Sequence, residues 1–172
     1  PVAYYISPQV WAWGERRVAR IRRYVDRMIV ILPFEKAYYA ERGVTAHFVG
    51  HPLVSSARAR RTREETRRAL AVPEGAALVG LLPGSRAQEV RAHVPLFVEA
   101  LDAAEREGVT ACAALARAPT IPASLVAPLI ASATRPIQTT TDTYDLMAAA
   151  DLLLVASGTA TLEAALFGTP MI

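Results

Sequence analysis

The amino-acid sequence predicts an α/β protein: parallel sheets with helices on both faces. Three observations predict it. Short apolar runs and helical segments alternate along the chain, the pattern of strand–helix–strand units. Several of the runs, Met28–Leu32, Ala76–Leu82 and Leu152–Ala156 among them, are continuously apolar, as strands buried on both faces are. With 172 residues, 52% of them hydrophobic, the chain can bury a substantial core, which excludes a disordered segment.

Taken in order, Val2–Ile6 reads as a first strand ended by Ser7-Pro8. Glu15–Asp26 follows as a basic helix with Val18, Ile21 and Val25 on one face. Met28–Leu32 is a strand, and Pro33 opens a helix over Phe34–Arg42 that Gly43 stops. Ala46–Val49 is a strand closed by Gly50-His51-Pro52. The aperiodic tract Leu53–Arg61, rich in Ser, Ala and Arg, reads as a linker, so two units are expected, 1–52 and 53–172. Arg63–Leu70 is a short helix whose interleaved charges suit a solvated face. Ala76–Leu82 is a strand followed by the turn Pro83-Gly84-Ser85-Arg86. A helix is expected from about Pro95 to Glu107, with Gly108 after it. Thr110–Leu115, Arg135–Gln138 and Leu152–Ala156 are further strands; Pro122–Ala131, Thr143–Ala149 and Ala160–Phe167 are helices, the last closed by Gly168. Met171 begins another strand. No repeat of fixed period is present.

Composition narrows the function. The single cysteine, Cys112, lies in an apolar run and reads as a small core residue, so no disulfide framework or multi-Cys metal site is expected. The three histidines, His47, His51 and His93, have no ligand spacing, and neither a metal nor another cofactor is expected. Net charge is +3, with arginines clustered at 16–27 and 58–68. That balance suits a phosphate-bearing ligand or an anionic membrane surface; nucleic acid is not an expected partner. No apolar run approaches the roughly 20 residues of a transmembrane helix, and the start does not resemble a signal peptide. A cytoplasmic protein, or one peripheral on a cytosolic membrane face, is expected. Pro1 stands where an initiator Met would, and Thr169–Ile172 resembles a strand barely begun. A piece from the middle of a longer chain is therefore expected.

Two strand–loop–helix turns carry the candidate chemistry. In Leu81-Leu82-Pro83-Gly84-Ser85-Arg86, a buried strand reaches the carboxyl edge of a sheet, where open α/β folds bind ligands. Gly84 permits a sharp turn and close approach, Ser85 offers a hydroxyl, and Arg86 offers a fork suited to phosphate oxygens. Glu89 is near enough to orient Arg86. An ordinary turn with a surface arginine explains these residues equally well. In Ala156-Ser157-Gly158-Thr159-Ala160-Thr161-Leu162-Glu163, another buried strand enters a small-residue turn and then a helix, whose N-terminal amides favour an anion such as a pyrophosphate. Ser157, Thr159 and Thr161 carry hydroxyls, Gly158 adds no bulk, and Glu163 lies where its carboxylate can accept two ribose hydroxyls. Read alone, the same residues are a helix N-cap and a first-turn carboxylate. Two such turns facing one sheet edge favour a nucleotide. Neither matches the dinucleotide or Walker fingerprint, which disfavours a nicotinamide cofactor and ATP hydrolysis.

The block Tyr5-Ile6-Ser7-Pro8-Gln9-Val10-Trp11-Ala12-Trp13 with Arg16-Arg17 resembles a signature of the lipid-A-disaccharide synthase family. So do Leu32-Pro33-Phe34-Glu35 with Tyr38 or Tyr39, then Phe48-Val49-Gly50-His51-Pro52, Leu81–Arg86 with Glu89, and Ala156–Glu163, all in the family's order. Ala113–Ile121 departs from the family's strand-end motif. The resemblance implies a GT-B architecture, two Rossmann-like halves, with 1–52 the tail of the acceptor-side half and 53–172 an incomplete donor-side half. It implies transfer of a sugar from UDP-2,3-diacylglucosamine to lipid X (2,3-diacylglucosamine 1-phosphate), giving a β-1,6 disaccharide and UDP without a metal. It implies that Arg86 steadies the departing diphosphate and that Glu163 clamps ribose. The general base then belongs to a half outside this chain, and these residues alone are expected to be inactive. The resemblance leaves a homodimer open for the full-length protein.

Tyr4, Tyr5, Trp11 and Trp13 suit core and rim packing; the alternative puts Trp11 and Trp13 at the cleft, near acyl chains or a membrane interface. The basic helix likewise suits either solvent or anionic headgroups. Two other functions fit parts of the pattern. One is a different UDP-sugar GT-B enzyme, such as a UDP-N-acetylglucosamine 2-epimerase, which gives no reason for the Ser7–Trp13 block. The other is a non-catalytic nucleotide-binding fragment.

Overall fold

The computed structural model describes all residues, Pro1–Ile172. They form two compact units, Pro1–Ser56 and Ala57–Ile172.

The first unit is a three-stranded parallel sheet, β1 (Ala3–Tyr5), β2 (Arg27–Val30) and β3 (Ala46–Phe48), in that order, with Met28 opposite Tyr4 and Ala46. Helices α1 (Arg17–Tyr24) and α2 (Pro33–Ala40) cross between the strands, and one further turn, α3 (Leu53–Ser56), follows β3. That turn falls in the tract expected as linker; Val54 and Ser56 donate backbone bonds to His51 and Pro52, so the helical turn is anchored in the Gly50-His51-Pro52 corner. Val18 and Ile21, three apart on α1, bury one stripe against Met28, Val30, Tyr39 and Val44. The arginines of α1 stay exposed.

Glu35 is the organising residue of this unit. It is 1% exposed, and its carboxylate accepts from the Ser7 hydroxyl at 2.6 Å, the Leu32 amide at 3.0 Å, and the Ile31 amide and Trp11 indole at 3.3 Å. Four donors make its burial tolerable. They also tie the loop after β1 to the start of α2, where Trp11 packs edge-on against Phe34 with centroids 5.1 Å apart. Tyr4, Tyr5, Trp11 and Trp13 are all exposed, so none of them is the core residue that one reading expected. The core positions are taken instead by aliphatic residues, Met28 and Tyr39.

The second unit has a four-stranded parallel sheet in the order β6-β5-β4-β7, from β4 (Ala77–Leu82), β5 (Ala111–Ala116), β6 (Ile137–Thr140) and β7 (Leu152–Val155). Helices α4 (Arg63–Ala69), α5 (Ala87–Arg106), α6 (Ala123–Ile130), α7 (Thr143–Ala149) and α8 (Thr159–Phe167) cover it. Central β4 is buried on both faces. Leu78 and Leu82 pack with Leu146, Met147 and Leu153 on one side, Val79 and Leu81 with Val90, Val94 and Val98 on the other. Gly80 leaves room for the neighbouring core, since a Cβ there would lie 2.6 Å from Leu153 Cδ2 and force that side chain to shift. Cys112 is partly buried against the first of these clusters. Met171 bridges Leu153 on the outer side of β7.

Helix α5 begins at Ala87, eight residues before the start expected at Pro95, and carries that proline inside it. The stripe Val90, Val94, Val98 runs straight through, and both Pro95 and Arg91, whose carbonyl loses its partner, are exposed to water. Packing on one face thus outweighs a local defect on the other.

Arg63, Glu64, Glu65 and Arg68 of α4 are exposed, as expected of a solvated face, but two of the helix's arginines also have partners elsewhere in the unit. Arg63 and Arg67 fold back onto Asp151, at the N-terminal end of β7, and donate at 3.1 Å to the carbonyls of Ala150 and Ala149 respectively. Asp151 also accepts the Leu78 amide at 2.7 Å, linking the starts of β4 and β7. Burial pushes the Asp151 carboxyl up, but the Leu78 amide and the two arginines outweigh it and hold it below its ordinary value of about 3.8. No helix is long and apolar enough to cross a membrane.

Asp151→Ala is expected to destabilise this unit by about 1–3 kcal/mol, since it strands the buried Leu78 N–H and removes the charge partner of the mostly buried Arg67. A depressed folded pKa means that the charge contribution is complete above the unfolded value and fades as pH falls through the folded one. The melting-temperature gap between the two proteins should hold at neutral pH and narrow below about pH 4. A gap that widens in acid would contradict this arrangement.

Candidate functional site

The candidate site lies at the carboxyl edge of the second unit's sheet. Leu82 pairs with Val155, and the Ala156 amide donates to the Leu82 carbonyl at 2.9 Å. Strands β4 and β7 therefore release their loops side by side. Between them is a cavity of about 370 Å³, lined by Gly84, Ser85, Arg86 and Glu89 from the first turn and by Ser157, Gly158, Thr159 and Glu163 from the second. Thr161 does not line it; its hydroxyl donates to the Gly158 carbonyl at 2.7 Å and braces the loop.

The two turns are built differently. In the first, Glu89 closes the N-terminus of α5: its Oε2 accepts the Ser85 and Arg86 amides at 3.0 and 3.1 Å, and its Oε1 accepts the Arg86 guanidinium at 2.5 Å. The Arg86 guanidinium holds the Glu89 carboxyl below the usual carboxylate range, with the two amides adding to it against partial burial. The Ser85 and Arg86 amides are thus occupied, and the turn presents Arg86, whose side chain is 78% exposed. Further out, His93 bonds the Pro83 carbonyl at 2.8 Å through Nδ1, and the Thr120 hydroxyl donates to the Ser85 carbonyl at 3.3 Å.

In the second turn, Gly158 stands at the N-cap of α8 and no side chain caps the helix. Neither Ser157 nor Thr159 serves as the cap that the plain reading assigned them. An uncapped N-terminus directs its first amides and the positive end of the helix dipole into the cavity. Glu163, one turn further on, accepts the Tyr144 hydroxyl at 2.9 Å.

Sequence reasoning missed the third wall. Thr143, and Ala116 and Ala118 at the end of β5, also line this cavity. Thr143, Tyr144 and Glu163 line a second, polar cavity of about 340 Å³ together with Arg58 and Arg60. The signal was available, since α7 follows β6 and β6 ends at the same sheet edge, but strand order was needed to use it. A third, apolar hollow of about 250 Å³ between the β4–β7 sheet and α5 is remote from both turns; its arginine, Arg135, is paired with Glu105 at 2.6 Å. No group of three or more His, Cys, Asp or Glu side chains is placed to hold a metal ion.

Parallel sheets covered by helices, with a cavity at the carboxyl edge, are the Rossmann-like arrangement of the GT-B fold class. The fold is similar to that of a variant of the wall teichoic acid polymerase TagF, with a TM-score of 0.50 and 14% identity over 91% of this chain and 41% of that one. In sequence, residues 1–172 match the family described as lipid-A-disaccharide synthetase, and the chain belongs to that family. It is 45% identical to the lipid-A-disaccharide synthase of Syntrophus aciditrophicus, 42% to that of Myxococcus xanthus and 41% to that of Trichlorobacter lovleyi. Each comparison covers 99–100% of this chain and 45% of the relative, so the chain spans a little under half the length of these proteins.

Gly84→Ala tests how tightly the first turn is built. Gly84 has φ +111°, and a Cβ there would lie 2.8 Å from the Glu89 Cβ. We expect a loss of about 1–3 kcal/mol, read as a lower denaturant midpoint. Part of the loss should vanish when Glu89 is also replaced by Ala, which removes the carboxylate that the added methyl would also meet but keeps the Cβ; full additivity would show that the carboxylate clash contributes nothing.

Proposed function

We propose that the full-length protein is a lipid-A-disaccharide synthase, joining UDP-2,3-diacylglucosamine to 2,3-diacylglucosamine 1-phosphate to form the β-1,6 disaccharide and UDP. Family membership supports the reaction, and the single observation that carries the site is the cavity shared by the two turns. In this reading Ala57–Ile172 holds the donor. The diphosphate lies against the amides at the start of α8, among Ser157, Gly158 and Thr159, and the ribose hydroxyls donate to Glu163.

When the acceptor's 6-hydroxyl, giving its proton to a general base elsewhere in the full-length protein, attacks the donor's anomeric carbon, the bond to the diphosphate breaks and negative charge develops on it. Arg86 and the α8 N-terminus are fixed positive groups aimed at that charge, the arrangement that lowers a barrier most effectively. Glu89 keeps Arg86 in position and Ser85 adds a hydroxyl, while Gly84 keeps the backbone close. The proposed reaction takes its leaving-group stabilisation from these groups and requires no metal.

The substrates are lipids, and the exposed face of α1 suits a lipid surface. Arg17, Arg20, Arg22 and Arg23 project from a helix without an acidic residue in its first turn. We propose peripheral binding to anionic headgroups on the cytosolic face of the inner membrane, with a homodimer as the full-length assembly.

In the full-length polypeptide, Arg86→Ala is expected to reduce disaccharide formation about 100- to 1,000-fold, the usual loss of one group stabilising transition-state charge. Turnover of the unmutated enzyme should survive excess EDTA. Near-normal turnover by the Arg86→Ala protein would remove Arg86 from the mechanism, and abolition by EDTA would overturn the metal-free reading.

A further inference from the structure

We propose that Tyr144 is a positioning residue: its phenol holds the Glu163 carboxylate in the orientation that receives ribose, and so sets selectivity for a ribonucleotide over its deoxy counterpart. The proposal rests on the ribose-clamp reading of Glu163.

The argument is geometric. Glu163 and Phe167 are four residues apart on α8 and share one face. Tyr144, in the first turn of α7, touches both. Its ring lies tilted on Phe167, with centroids 5.8 Å apart and planes at 38°, and its hydroxyl donates to Glu163 Oε1 at 2.9 Å. The ring cannot wander, because it packs against the core cluster that includes fully buried Leu146 and Met147, its neighbours along α7. An unsupported glutamate has three side-chain torsions to order before it can accept two hydroxyls at once. Here one charge-assisted bond orders them in advance and leaves Oε2, with the second lone pair of Oε1, available to accept hydroxyls.

Burial, then the bond to Glu163 and its charge, push the Tyr144 hydroxyl above its ordinary pKa, so it stays a donor at neutral pH. Glu163 also forms a wall common to both polar cavities, so its orientation bears on each.

The test compares UDP with 2′-deoxy-UDP by calorimetric titration of the full-length polypeptide and of its Tyr144→Phe and Glu163→Gln variants. The unmutated protein should prefer UDP by about tenfold or more, as a site built to bond a hydroxyl does. Tyr144→Phe should weaken UDP by about threefold to tenfold, the range for one lost hydrogen bond. It should leave 2′-deoxy-UDP almost unaffected, with an unchanged melting temperature. Equal losses for both nucleotides, or a collapsed melting temperature with the preference kept, would assign Tyr144 a merely structural role and overturn the proposal. If Glu163→Gln erases the preference while Tyr144→Phe retains it, the positioning role fails and the ribose clamp stands. If neither variant changes the preference, the clamp itself fails.

Discussion

The parallel pairing of β4 with β7 is the constraint on which the candidate site depends. Both turns are local structures that many α/β proteins could form, and neither encloses a ligand by itself. They face each other because Leu82 stands opposite Val155, and because the chain after each strand leaves at the same edge. The other end of the pair is clamped by Asp151, which accepts the Leu78 amide while Arg63 and Arg67 of α4 grip its two oxygens. In between, Gly80 lets Leu153 and Leu146 come into contact with the strand itself. A one-residue slip would exchange the two apolar faces of β4, and with them the positions of Gly84 and Ser157 relative to each other.

Within that frame the two turns divide the work of meeting an anion. Glu89 consumes the amides of the first turn and leaves a tethered, outward-facing guanidinium. The second turn has no capping side chain and leaves its amides directed at the cavity. A guanidinium held by Glu89 and a helix dipole are complementary devices for a diphosphate: one supplies a full charge and a fork of donors, while the other supplies oriented amides. The same economy appears in the first unit, where buried Glu35 takes four donors and thereby fixes the loop that carries Trp11.

Much of this was legible in the sequence, for reasons that differ by element. The strands were legible because burial on both faces writes continuous apolar runs such as 77–82 and 152–155. Each turn alone read equally well as an ordinary loop; the pair became legible because both follow continuously apolar strands and so leave one sheet edge. The start of α5 was hidden by Pro95, since a local rule about proline spoke louder than the stripe Val90, Val94, Val98 that overrode it. The roles of Arg63, Arg67 and Tyr144 were hidden for a different reason. Their partners, Asp151 and Glu163, are 88, 84 and 19 residues away, and only strand order brings them together. Charge interleaved along a helix has the same pattern whether it meets water or a distant carboxylate.

The central claim, that the two turns form one nucleotide site, is tested most directly by a crystal structure of the full-length polypeptide with UDP bound. The account predicts the diphosphate within hydrogen-bond reach of the α8 N-terminal amides and the Arg86 guanidinium, with both ribose hydroxyls on the Glu163 carboxylate. UDP bound elsewhere, or bound here with Glu163 turned away from the sugar and Arg86 still paired only to Glu89, would contradict it.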